Sequence, residues 1–171
     1  QHKNHERLLK AVARLKAELP DIYLVLAGSR SREYDRCREL ARKEGLESNV
    51  SFLGYVPQAD LAELYRRARA LIMPTFFGPT NIPPLEAFAL GCPVAVSDIY
   101  GEPEQVGEAG LRFDPGCVDD MMNVMRRLWR DDELCREMYV KGREQEKSWG
   151  RAQFRARFLD IIQAVKKKKK Q

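Results

Sequence analysis

At 171 residues with 44% apolar side chains, the chain has room for one compact domain with a sizeable core, but not for two large ones. No run approaches the roughly 18 apolar residues that a membrane-crossing helix needs. The formal charge of +5 belongs to one end: taking Lys166–Lys170 from the 30 basic residues leaves them equal in number to the 25 acidic ones. Such a lysine run either sits solvated at a chain end or touches anionic headgroups at a membrane surface. Without a stripe of interleaved basic and aromatic residues it does not imply a nucleic-acid partner. Cys37, Cys92, Cys117 and Cys135 form no C-x-x-C pair, and the two histidines, His2 and His5, lie far from them in sequence. A zinc site is therefore not expected, and reduced thiols in a cytoplasmic protein are.

In chain order, Gln1-His2-Lys3-Asn4-His5 opens without a methionine or a signal-peptide pattern and reads as an internal stretch of a longer sequence. Residues 5–18 place Leu8, Leu9, Val12, Leu15 and Leu19 on one helical face, ahead of Pro20. The apolar run 22–27 stops at Gly28-Ser29 and predicts a buried strand. A charged helix over 33–44 closes at Gly45, and a second strand over 50–53 runs into Gly54-Tyr55-Val56-Pro57. Helix 58–68 turns Leu61, Leu64 and Tyr65 inward, and strand 70–74 leads into the loop 75–83. A short helix from Pro83 or Pro84 ends at Gly91, followed by a strand over 93–97, a helical turn near 103–108 and a strand over 110–113. The remainder reads as three helices, 118–130, 132–147 and 150–165, the last packing Phe154, Phe158, Leu159, Ile162 and Val165 inward.

Strands alternating with helices specify an α/β fold, a Rossmann-like doubly wound parallel sheet with helices on both faces and extra helices at the C-terminal end. The expected division is a domain over 1–165 and a basic tail over 166–171. No strand precedes Lys3, so the pattern lacks one central strand. Ligands of such sheets sit beyond the C-terminal strand ends, which nominates the loops at Lys3-Asn4-His5, Gly28-Ser29, Gly54-Tyr55-Val56 and 78–86.

The densest signal is Phe77-Gly78-Pro79-Thr80-Asn81-Ile82-Pro83-Pro84-Leu85-Glu86-Ala87-Phe88, followed by Leu90-Gly91-Cys92-Pro93-Val94. A strand end, a loop and a helix opening on prolines aim free N–H groups and the positive helix end at one spot, an arrangement suited to a diphosphate. Glu86 fits two roles equally on these grounds: a carboxylate for the two ribose hydroxyls, or a charge complementing the helix dipole. Gly28 reads more readily as a tight turn than as a ligand contact.

This segment resembles the donor-binding region of the group 1 (family four) retaining glycosyltransferases, whose pattern runs from one glutamate across seven residues to a second and ends in P-x-x-E-A. The resemblance extends over most of the chain: K-N-H and L-L near the start, V-L-A-G, V-S-F-L-G-Y-V, then G-C-P-V-A-V-S and P-E-Q-V. It implies the C-terminal half of a GT-B fold. It also implies that Glu86 binds ribose, that Thr80, Asn81 and Ile82 meet the donor diphosphate and sugar, that Lys3 neutralises the diphosphate and that Tyr55 and Val56 pack on the base. The family's first glutamate falls on Gly78, so no catalytic side chain is assigned in this half.

The implied reaction transfers a hexose from a nucleoside diphosphate to an acceptor hydroxyl with retention. No metal or cofactor is expected, since Lys3 and the helix start answer the leaving-group charge. The acceptor site is expected from an N-terminal domain outside this chain, so the 171 residues alone should bind donor without transferring sugar. Loss of the first glutamate keeps a catalytically silent binding module in view, and the architecture keeps a sugar-nucleotide epimerase in view.

Overall fold

A computed structural model describes residues 2–78 and 82–168, the side chains of residues 167 and 168 excepted. The elements run α1 (His5–Leu15), β1 (Leu24–Ala27), α2 (Arg32–Lys43), β2 (Val50–Gly54), α3 (Gln58–Arg67), β3 (Leu71–Met73), α4 (Ile82–Ala89), β4 (Val94–Ser97), α5 (Glu102–Val106), β5 (Gly110–Phe113), α6 (Val118–Arg130), α7 (Asp132–Lys147) and α8 (Arg151–Lys168). All described strand pairs are parallel, in two sheets: β1–β2, and β3–β4–β5 with β4 in the middle.

The strand β4 shows why the fold is covered on both faces. All four of its residues are buried, and side chains alternate across a strand. Ala95 faces a core made by α1 (Leu8, Leu9, Val12, Leu15) and α6 (Met121, Val124, Met125, Leu128). Val94 and Val96 face the other way, onto Tyr65 of α3, Ala87 and Phe88 of α4, and Val106. Burying an aliphatic side chain of this size contributes about 1.5–3 kcal/mol, so the α1 stripe alone is a large part of the first core. Residues of both sheets, Leu24, Leu26, Phe52 and Ile72, lean on that same core.

Helix limits follow local chemistry. Ser31 caps α2 by accepting from the Tyr34 N–H, and Asp131 caps α7 by accepting from the Leu134 N–H at 2.9 Å. Helix α1 ends at Leu15, earlier than Pro20 requires, in a turn whose Leu19 N–H bonds to the Leu15 carbonyl. Glycine is required at residue 91: φ is +77°, and a Cβ there would lie 2.3 Å from the Tyr139 ring.

The expectation for α8 is overturned. Phe154 is 70% and Phe158 53% exposed, Leu159 and Val165 are exposed as well, and Ile162 is only half-buried. The two phenylalanines stack on each other, with ring centroids 6.1 Å apart. No other element among the described residues packs extensively on α8. The helical backbone continues through Lys168, so the first three tail lysines extend α8.

Candidate functional site

Two short-range anchors hold the turn that carries Lys3. On one side, the His2 carbonyl accepts from the Phe76 N–H at 2.7 Å and from the Thr75 hydroxyl at 3.1 Å, which ties the turn to the loop leaving β3. On the other, the buried Asn4 side chain donates to the Pro115 carbonyl at 2.8 Å, with Asn4 itself in the left-handed region at φ 56°. Asparagine is among the few residues that adopt this conformation readily. Lys3 is exposed between these anchors. Burial holds the pKa of the neighbouring His5 below its ordinary value against the opposing pull of Glu33, and Lys3 adds to the lowering. Arg7 lies over the Phe76 ring at 5.2 Å.

The loop from β3 therefore runs beside Lys3 before feeding α4. Thr80 and Asn81 lie outside the described residues. Ile82 opens α4 and is 64% exposed. Because the helix starts at Ile82, its second and third positions are prolines without an N–H. Among the first four positions only Ile82 and Leu85 have an N–H to offer an anion.

Glu86 is the fifth residue of α4, beyond the first turn expected for it. The dipole effect fades within that turn, which weakens the case for a purely dipole-complementing role. At 1.5 Å of rise per residue, Glu86 lies about 6 Å along the axis from Ile82, and helical side chains tilt toward the N-terminus. The Tyr65 hydroxyl donates to Glu86 Oε2 at 3.0 Å. Tyr65 is buried, and burial, reinforced by the Glu86 charge, pushes its phenol pKa far up, so it remains a donor.

Tyr55 and Val56 follow β2. Tyr55 is 78% exposed and Val56 half-buried. With Leu53, Pro57 and the α3 residues Asp60 and Leu64 they border an open groove of about 440 Å³. Tyr65 is on this same helix, so α3 joins the groove wall at one face to the Glu86 carboxylate at another. The Gly28 N–H donates to the Gly54 carbonyl at 2.8 Å and ties the ends of β1 and β2 together.

The fold thus ties the turn that carries Lys3 to Thr75 and Phe76 after β3, and links Glu86 to the helix that borders Tyr55 and Val56. Sequence reasoning missed Tyr65 as the partner of Glu86, and Asn4 and Thr75 as anchors of the Lys3 turn. These pairs lie 21, 111 and 73 residues apart, too far for any local spacing to signal them. Burial pushes the thiol of Cys92, in the same cluster as Tyr65, up to about 12.

Comparison with known proteins identifies the family of the chain. The family described as "Glycosyl transferases group 1" matches residues 1–145. The O-antigen chain mannosyltransferase B of Escherichia coli is 37% identical over 150 residues, which cover 86% of this chain and 39% of that protein. The D-inositol 3-phosphate glycosyltransferase of Corynebacterium jeikeium is 31% identical over 140 residues, covering 77% of this chain and 33% of that protein. The solved sucrose-phosphate synthase of Thermosynechococcus elongatus superposes with a TM-score of 0.80 at 27% identity, over 97% of this chain and 42% of that one. The chain spans about two fifths of the length of the mannosyltransferase it matches. With the family matched over most of its length, the chain belongs to the group 1 glycosyltransferases.

Proposed function

We propose that this chain holds the nucleoside diphosphate of a sugar donor, with Lys3 and the 80–82 segment on the diphosphate and sugar, Glu86 on the ribose, and Tyr55 and Val56 on the base. The observation that carries the reading is the Glu86 carboxylate, held by Tyr65 about one helical turn below the start of α4. The pinning of the Lys3 turn to the loop that leads toward that start supports it. The relatives are named for different reactions — an O-antigen chain mannosyltransferase, a D-inositol 3-phosphate glycosyltransferase, a sucrose-phosphate synthase — while each shares this stretch. A shared donor-handling part accounts for that pattern.

In this reading the complete enzyme transfers a hexose to an acceptor hydroxyl with retention, and a further part of the polypeptide supplies the acceptor site. As the bond from sugar to diphosphate breaks, negative charge grows on the leaving oxygens. Lys3 and the Ile82 N–H answer it from fixed positions, a preorganised contribution often worth several kcal/mol. Lysine supplies this as a point charge without planar constraints, so no metal ion is called for.

The test is calorimetric titration of the 171-residue chain with UDP, GDP and ADP and with their 2′-deoxy counterparts. One ribonucleotide should bind and its deoxy form should bind more weakly. Glu86→Gln should cost that ligand about tenfold to a hundredfold, as expected for a charge-assisted hydrogen bond of about 1.5–3 kcal/mol. Equal affinity for ribose and deoxyribose forms in the parent chain would remove Glu86 from the ribose.

A further inference from the structure

We infer that Tyr65 is a positioning residue for the donor site: the hydroxyl of this buried tyrosine, bonded to Glu86 Oε2 at 3.0 Å, fixes the carboxylate before any nucleotide arrives and so sets selectivity for ribose over deoxyribose. This rests on the ribose role of Glu86.

The surroundings of Tyr65 argue that its hydroxyl serves the carboxylate and is not there for packing. The phenol ring belongs to an apolar cluster of Ala87, Phe88, Cys92, Val94 and Val96. A phenylalanine would fill the same place with no polar atom to satisfy, whereas a buried tyrosine hydroxyl needs a partner. The partner present is a half-buried carboxylate on the adjacent helix, at the position singled out independently by the sequence pattern.

The hydrogen-bond inventory fits a shared carboxylate. An ionised carboxylate has about four acceptor sites over its two oxygens. The phenol occupies one on Oε2, which leaves room for both hydroxyls of a ribose. A free glutamate loses rotamer freedom when it takes up a fixed geometry. Bonding to Tyr65 removes that loss from the binding step, because the side chain is already held. The phenol keeps its proton across the working pH range, since its titration is shifted far upward by burial and by Glu86.

The experiment is a double-mutant cycle on the 171-residue chain, with Tyr65→Phe, Glu86→Gln and the pair. The readout is the ratio of affinities for the ribonucleotide that binds in the panel above and for its 2′-deoxy form, alongside a melting curve for each variant. Tyr65→Phe should reduce ribonucleotide affinity about threefold to tenfold and leave the deoxy form nearly unchanged, shrinking the ratio. In the Glu86→Gln background it should change the ratio no further. General loss of packing would lower both affinities together and leave the ratio intact, and that result would overturn the proposal. A parent chain that discriminates, loses discrimination in Glu86→Gln and keeps it fully in Tyr65→Phe would sink the Tyr65 role while leaving the ribose role of Glu86 standing. A parent chain with no discrimination would sink both.

Discussion

Helices α4 and α8 are both rich in apolar side chains, and they meet opposite fates. In α4, Phe88 is 1% exposed, inserted between β4 and α7, and Pro84 and Ala87 are buried with it. In α8, Phe154 and Phe158 stack on each other, and both are exposed, as are Ile161 and Val165. The difference teaches that helical periodicity defines a face but not its cover. Fixing α4 in a full core holds the backbone of Glu86 at a set height, whereas α8 makes no extensive contact with another element among the described residues.

Removing Phe88 should have the largest effect. Phe88→Ala empties a fully buried ring site, at a cost of about 3–5 kcal/mol. At roughly 2–4 °C per kcal/mol for a chain of this size, the melting temperature should fall by about 6 °C or more. A fall of only a degree or two would mean that the α4 core is far looser than its burial implies.

A smaller effect is expected where α7 meets α4. A Cβ at Gly142 would lie 2.6 Å from Phe88 Cδ1, and that ring is enclosed and has little room to retreat. Overpacking of this kind costs about 1–3 kcal/mol, against about 1 kcal/mol gained by replacing a mid-helix glycine with alanine. Gly142→Ala should therefore lower stability by about 1 kcal/mol, measured by urea unfolding. An increase would show that the Phe88 ring yields, and would erase the contrast between the two helices on this side.

The smallest effect belongs to α8. Phe158→Ala removes a ring that is half in water, and surface changes of this kind fall within about 0.5 kcal/mol. Should Phe158→Ala cost as much as Phe88→Ala in the same unfolding experiment, α8 is covered in solution and the comparison collapses.

Much of the fold was legible because its punctuation is chemical. The limits of α6 and α7 match the sequence reading, helped by an aspartate at residue 131 whose side chain caps the second of them. The alternation of helix and strand gave the parallel order, and β4 was readable as a short apolar run. The site was legible to the extent that it is linear: Ile82 and Glu86 share one helix, and Lys3 opens the next loop over. What joins these pieces was not legible. The Tyr65–Glu86 bond, the Asn4–Pro115 bond and the Thr75–His2 bond are products of folding, and each links residues whose spacing has no period. The start of α4 was misjudged by one or two residues because a proline marks an early helical position without fixing which one. That shift moved Glu86 out of the first turn and changed which N–H groups are on offer.

The division of the strands into two sheets has a consequence for how this polypeptide behaves among copies of itself. Both β1 (LVLA) and β3 (LIM) have a ladder partner on one side only among the described residues, and neither carries the charged or proline residues that usually blunt an exposed edge. Val25 is 42% exposed and Leu71, Ile72 and Met73 are all half-open, while every residue of the flanked β4 is buried. Backbone donors and acceptors left open on an apolar strand accept any extended segment of compatible length, whichever molecule it comes from. What such an edge pairs with is therefore settled by which segment reaches it first.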